Sequence, residues 1–206
     1  MNSRIFLIVM ILLSLVGCKN DRTIFLGDAY LLNNLIDCNS NSDFVFSKMT
    51  SQNFYYYLDK DALSLESNKR VSSLIKRANK IVLSFGIYDL IPLFDFSKKE
   101  ITYNKDQIEN KLELMDYYVY SSFQILNELV DTRDKVYILK QYNPLVYNFD
   151  NLYEFEGYIV RVNDILFEYA SKNEFSFIEI DTYDQYLLDD FILDVSINEE
   201  IRKKIQ

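Results

Sequence analysis

The sequence contains no histidine at all, and only 2 cysteines, 2 prolines and 4 glycines among its 206 residues. Without histidine, Ser-His-Asp and Cys-His nucleophile systems, histidine-ligated zinc and the usual neutral-pH proton shuttle are all excluded. Any chemistry falls to carboxylates, lysine, tyrosine or hydroxyls. With 49% hydrophobic and 16% aromatic residues beside so little glycine and proline, the chain is not a disordered stalk. Basic residues are also in deficit, 22 against 31 acidic, for a net charge of −9. That balance repels phosphate backbones, so nucleic acid is not an expected partner. It equally argues against a surface that rides on anionic lipid by its own charge.

The first twenty residues, MNSRIFLIVMILLSLVGCKN, read as an export signal. Arg4 is the only charge of the n-region, an apolar stretch runs from Ile5 to Val16, and the small Gly17 precedes Cys18. The run is short for a membrane span. Leu15-Val16-Gly17-Cys18 resembles the bacterial lipobox, which implies cleavage after residue 17 and fatty acylation of the Cys18 thiol. An ordinary signal peptide or short anchor is the alternative. On the lipobox reading, 1–17 is the leader, 18–22 a lipidated tether and 23–206 the folded domain. Its location would be the bacterial cell envelope, on the periplasmic face or cell surface. Losing Arg4 leaves 21 basic against 31 acidic residues, a net charge of −10. Only Cys38 then remains as a free thiol, after an apolar run and expected to be buried and inert.

Strand-like and helix-like segments alternate along the rest of the chain. Thr23–Leu26 reads as a buried strand, followed by a helix over 28–38 with Leu31, Leu32, Leu35 and Ile36 at helical spacing. A second strand is expected at 43–46, helices at 50–58 and 71–78, and a third strand at 80–85. The longest periodic stretch, 105–130, places Ile108, Leu112, Met115, Val119, Phe123, Leu126 and Leu129 along one side. A fourth strand at 135–139, a helix at 156–171, a fifth strand at 175–180 and a C-terminal helix at 198–205 complete the pattern. This alternation predicts a single α/β domain of flavodoxin-like, three-layer α/β/α architecture around a parallel five-stranded sheet. In such sheets the functional crevice lies outside the carboxyl ends of the strands.

The blocks at those strand ends are GDAY (27–30), SKMTS (47–51), GIYD (86–89) and DVSI (194–197). In order and spacing they resemble the SGNH/GDSL hydrolases, whose blocks are Gly-Asp-Ser, a glycine-bearing loop, Gly-x-Asn-Asp and Asp-x-x-His. The resemblance extends over nearly the whole chain beyond the leader and implies the three-layer fold and an esterase-type crevice. It does not carry the catalytic residues. Ala29 stands where the resemblance puts the nucleophilic serine, Lys48 at the loop glycine, Tyr88 at the oxyanion asparagine, and Ile197 at the histidine, or Ser196 if the register slips by one. Nucleophile, base and one oxyanion donor are lost together, and loss of any one triad member already costs several orders of magnitude.

A residual pocket would comprise Asp28, Ser47, Tyr88, Asp89 and Asp194. Three acids there suit a hard cation in principle, but carboxylates at helix starts more often accept backbone N–H bonds and brace loops, so no metal or other cofactor is expected. Ser47, Thr50, Ser51 and Ser84 are the hydroxyls near the rim, with Lys48 as a conceivable base. The runs Phe54-Tyr55-Tyr56-Tyr57 and Tyr117-Tyr118-x-Tyr120 read either as core-and-rim aromatics or as platforms for sugar rings or a protein partner. The expectation is a non-catalytic binding or structural role with a protein or glycan partner. The alternative is a divergent ester or acyl hydrolase acting on an envelope glycan or lipid.

Overall fold

A computed structural model of the chain describes residues 23–27, 49–59, 61, 65–95, 100–133, 135–142, 152–180, 187–189, 192–193 and 197–205. The elements in chain order are β1 (Thr23–Gly27), α1 (Ser51–Leu58), α2 (Leu65–Arg77), β2 (Lys80–Ser84) and the short α3 (Ile87–Leu90). A hairpin of β3 (Phe94–Asp95) and β4 (Glu100–Ile101) follows, then α4 (Lys105–Leu129), β5 (Val136–Leu139), α5 (Leu152–Lys172) and β6 (Ser176–Ile178). A second hairpin, β7 (Leu187–Asp189) and β8 (Ile192–Leu193), precedes α6 (Ile197–Lys204).

Among the described residues the main sheet has four strands in the order β1-β2-β5-β6, all parallel. The helix expected at 28–38 and the strand expected at 43–46 lie outside the described residues. Sequential parallel strands require crossovers of one hand stepping in one direction, which puts α4 and α5 side by side on the same face. Ile24, Leu26, Ile81, Leu83, Val136 and Ile138 belong to the main core with Phe54 from α1, Ile75 from α2, Met115 and Phe123 from α4 and Val162 from α5. The alternate strand residues Phe25 and Val82 are buried too. Burial on both faces is what a parallel sheet covered by helices on each side demands, and it is why these strands are continuous apolar runs. The fold is therefore the expected α/β class.

Local chemistry sets the helix starts. Thr50 caps α1, its hydroxyl accepting the Asn53 N–H at 3.1 Å. Asn104 and Gln107 form a reciprocal capping box at α4, with bonds of 2.9 and 3.0 Å. Two helices begin earlier than periodicity suggests. α5 starts at Leu152 rather than 156 because Phe155 extends the inward stripe of Ile159, Val162, Leu166 and Ala170 by one turn. α2 starts at Leu65 rather than 71, since Glu66, Ser67 and Asn68 add helical length without adding an apolar stripe. The two hairpins and α3 leave no periodic signal in the sequence, the strands being two or three residues long and the helix a single turn.

Candidate functional site

The carboxyl edge of the sheet is built around two glycines with positive φ, Gly27 at +149° and Gly86 at +117°. β1 and β2 run in register so that Gly27 lies opposite Ser84. A Cβ on Gly27 would stand 1.8 Å from the Ser84 carbonyl oxygen, so the last residue of β1 has room only for hydrogen. The glycine of the Gly-Asp turn is thus explained by strand approach alone.

Gly86 opens the turn into α3, and the Asp89 N–H returns to its carbonyl at 3.1 Å. This turn carries Asp89 toward the start of α1, where its two carboxylate oxygens accept the Ser51 N–H and the Ser51 hydroxyl, each at 2.8 Å. One acid so satisfies an otherwise unpaired donor of a helix's first turn and ties two loops together. Burial pushes the Asp89 carboxyl up to about 6, against the opposing pull of the Ser51 bonds and the Lys111 charge. Tyr88 beside it is half-buried and packs against the main core.

The edge is closed by a polar network that sequence reasoning missed. The Asn163 carboxamide on α5 pairs with the Gln141 backbone in both directions, accepting its N–H and donating to its carbonyl at 2.8 Å each. This imitates a ladder step just beyond the end of β5. The Gln141 amide nitrogen donates to the Leu139 carbonyl at 2.8 Å and more weakly to the Ser84 hydroxyl at 3.4 Å. All three side chains are buried. The legible signal was a polar Asn163 next to Val162 in the inward stripe of α5.

Of the hydroxyls nominated from the sequence, Thr50 caps α1, Ser51 is fully buried and donates to Asp89, and Ser84 is fully buried below Gln141. Asp89 and Ser51 are brought together, while Tyr88 packs against the core. Cys18, Asp28, Ala29, Cys38, Ser47, Lys48, Asp194 and Ser196 lie outside the described residues, as does the side chain of Ile197, the first residue of α6. Among the described residues no group of three or more acidic or cysteine side chains is placed to hold a metal ion. No helix among them is long and apolar enough to cross a membrane.

No protein-family profile matches the sequence, and no curated protein matches it either. Solved structures do match in fold. A lipase from a goat rumen metagenome superposes with a TM-score of 0.59 at 16% identity, covering 88% of this chain and 96% of its own. An acetyl xylan esterase superposes with a TM-score of 0.60 at 14% identity, covering 89% of this chain and 97% of its own. An acetylxylan esterase from Geobacillus stearothermophilus gives 0.50 at 12% identity over 89% and 91% of the two chains. The described residues therefore have the α/β architecture of these esterases and lipases.

Proposed function

We propose that the protein is a lipid-anchored component of the bacterial cell envelope whose domain is a degenerate SGNH/GDSL-type hydrolase fold, retained for binding and not for ester cleavage. The observation that carries this reading is the fate of the three rim hydroxyls among the described residues. Thr50, Ser51 and Ser84 are each committed to structural hydrogen bonds, and the latter two are inaccessible. A nucleophile needs a free lone pair, an adjacent base and access to a carbonyl carbon. Ser51 has the adjacent carboxylate of Asp89 but no access. Ala29 at the serine position and a chain without histidine point the same way. Asp89, in this view, persists because it clamps α1 to the α3 turn.

The esterase and lipase neighbours favour the hydrolase ancestry, and the motif order favours the SGNH type. Purified protein is expected to hydrolyse 4-nitrophenyl acetate and butyrate no faster than a Ser51→Ala variant or buffer. Turnover above background that Ser47→Ala abolishes would establish the divergent-hydrolase alternative instead. For the anchor, the protein expressed with a labelled fatty acid is expected to take up the label, and Cys18→Ala is not. A Cys18→Ala protein labelled as strongly as wild type would rule out lipidation at that residue.

A further inference from the structure

We propose that tyrosines on α1, α4 and α5 form a track that binds a neutral linear polysaccharide. The inference rests on the binding half of the reading above and names its ligand class. On α4, Leu114, Tyr117 and Tyr120 are 53%, 55% and 48% exposed. Their spacing by three makes them successive neighbours along one ridge. The ridge continues onto both flanking helices. Towards α1, the Tyr117 and Tyr118 rings lie 6.3 and 5.5 Å from Tyr55, and Tyr118 lies 6.0 Å from Tyr56. Towards α5, Tyr120 lies 5.5 Å from Tyr169.

The rings are held in place before any ligand arrives. The Gln52 amide donates to the Tyr56 and Tyr118 oxygens at 3.1 and 2.8 Å. Tyr55 donates to Asp59 at 2.7 Å and Tyr169 to Asp116 at 3.1 Å. These bonds fix the Tyr55 and Tyr169 rings by their hydroxyls and satisfy one acceptor of each carboxylate. The Asp59 bond, with burial, pushes the Tyr55 phenol up to about 12, and burial with Asp116 does the same for Tyr169, so both stay neutral. Rigid aromatics with few rotatable bonds lose little entropy on binding.

The chemistry selects the occupant. Ring faces with hydroxyl rims suit the apolar faces and hydroxyl edges of sugar rings. The chain's net charge of −9 disfavours nucleic acids and polyuronates. Leu114 is the one aliphatic side chain in the ridge, which offers little to a lipid tail. The rings follow one another in a row across α1, α4 and α5, bordered by the exposed Lys111, Glu113 and Gln124. A stable protein interface needs a broad patch of about 800 Å² per partner, whereas a row of rings fits a chain lying along it.

The test is calorimetric titration of the full-length chain in detergent with xylohexaose, repeated with cellohexaose and chitohexaose. Tyrosine fluorescence serves as a second readout, free of interference because the chain has no tryptophan. At least one of these neutral oligosaccharides is expected to bind and polygalacturonate is not. Tyr117→Ala and Tyr120→Ala should each weaken binding about tenfold with unchanged thermal unfolding, while Tyr117→Phe binds as wild type. Binding of none of the three sugars, or binding by both alanine variants equal to wild type, overturns the proposal. Capture of an envelope protein that Tyr117→Ala abolishes, without sugar binding, overturns it too. Ester hydrolysis would defeat the non-catalytic reading and leave this one standing; failure of sugar binding does the reverse.

Discussion

Gly27→Ala is expected to destabilise the protein by roughly 4 kcal/mol or more, enough to prevent accumulation of folded chain, because two penalties coincide. The residue sits at φ +149°, where an L side chain is strained, and its Cβ would enter the Ser84 backbone, 1.8 Å from the carbonyl oxygen and 2.6 Å from the carbonyl carbon. Backbone atoms of a central strand cannot step aside without breaking the β1–β2 ladder. Gly86→Ala provides the internal comparison. Its φ of +117° is also strained, but its Cβ would meet the ends of two side chains, Met115 Cε and Val162 Cγ1, each at 3.0 Å. Those groups can rotate by a few tenths of an ångström, so the expected cost is about 1–3 kcal/mol, mostly from the backbone. Urea unfolding of the two variants measures the difference. A Gly27→Ala protein as stable as Gly86→Ala would show that β1 and β2 do not approach as closely as described.

Asp89→Ala is expected to cost about 2–4 kcal/mol, because Ser51 is wholly buried and would keep two donors without an acceptor. The loss should depend on pH in a definite direction. Burial raises the Asp89 carboxyl from 3.8 to about 6 in the folded protein, so the folded state holds this proton more tightly than the unfolded one. Above pH 6 the wild type carries the full penalty of the buried charge. As pH falls from 6 to 3.8 that penalty is relieved, and below 3.8 none remains. A two-unit shift corresponds to about 3 kcal/mol. The stability difference between wild type and Asp89→Asn should therefore grow by up to that amount between pH 7 and pH 4. The Asp89→Asn side chain keeps a carbonyl acceptor, so this variant should also be less damaging than Asp89→Ala at pH 7. Denaturation at pH 8, 6 and 4.5 separates these outcomes, and a wild-type advantage that shrinks with acidification would refute the assignment.

Both variants act on the carboxyl edge of the sheet, and the sequence made only part of that edge readable. Gly27 and Gly86 were visible as punctuation after apolar strands, since glycine there signals a turn. Their separate reasons are long-range in both cases: a backbone collision at Gly27 with a strand residue 57 positions away, and packing at Gly86 against the helix side chains Met115 and Val162, 29 and 76 positions away. Asp89 was legible as a loop-bracing acid but not its partner. Ser51 lies 38 residues away, and nothing local marks it as the group that both uses Asp89 and thereby ceases to be a nucleophile. Asn163 and Gln141 show the same limit. Reciprocal amide pairing across 22 residues leaves no periodic trace. The tyrosine runs are plain in the sequence, while the joining of Tyr117, Tyr118 and Tyr55 into one cluster requires α1 and α4 to pack together.

The sequence by itself determined the parallel α/β class, because doubly buried strands must be unbroken apolar runs and crossover helices must carry a 3.6-residue stripe. It also determined that no histidine chemistry is possible, because composition does not depend on folding. Only the tertiary structure decided which hydroxyls are spent, which glycine tolerates no side chain and which tyrosines share a surface. Each of these turns on distances of a few ångströms between residues far apart in the chain, and such distances are set by how helices seat on the sheet.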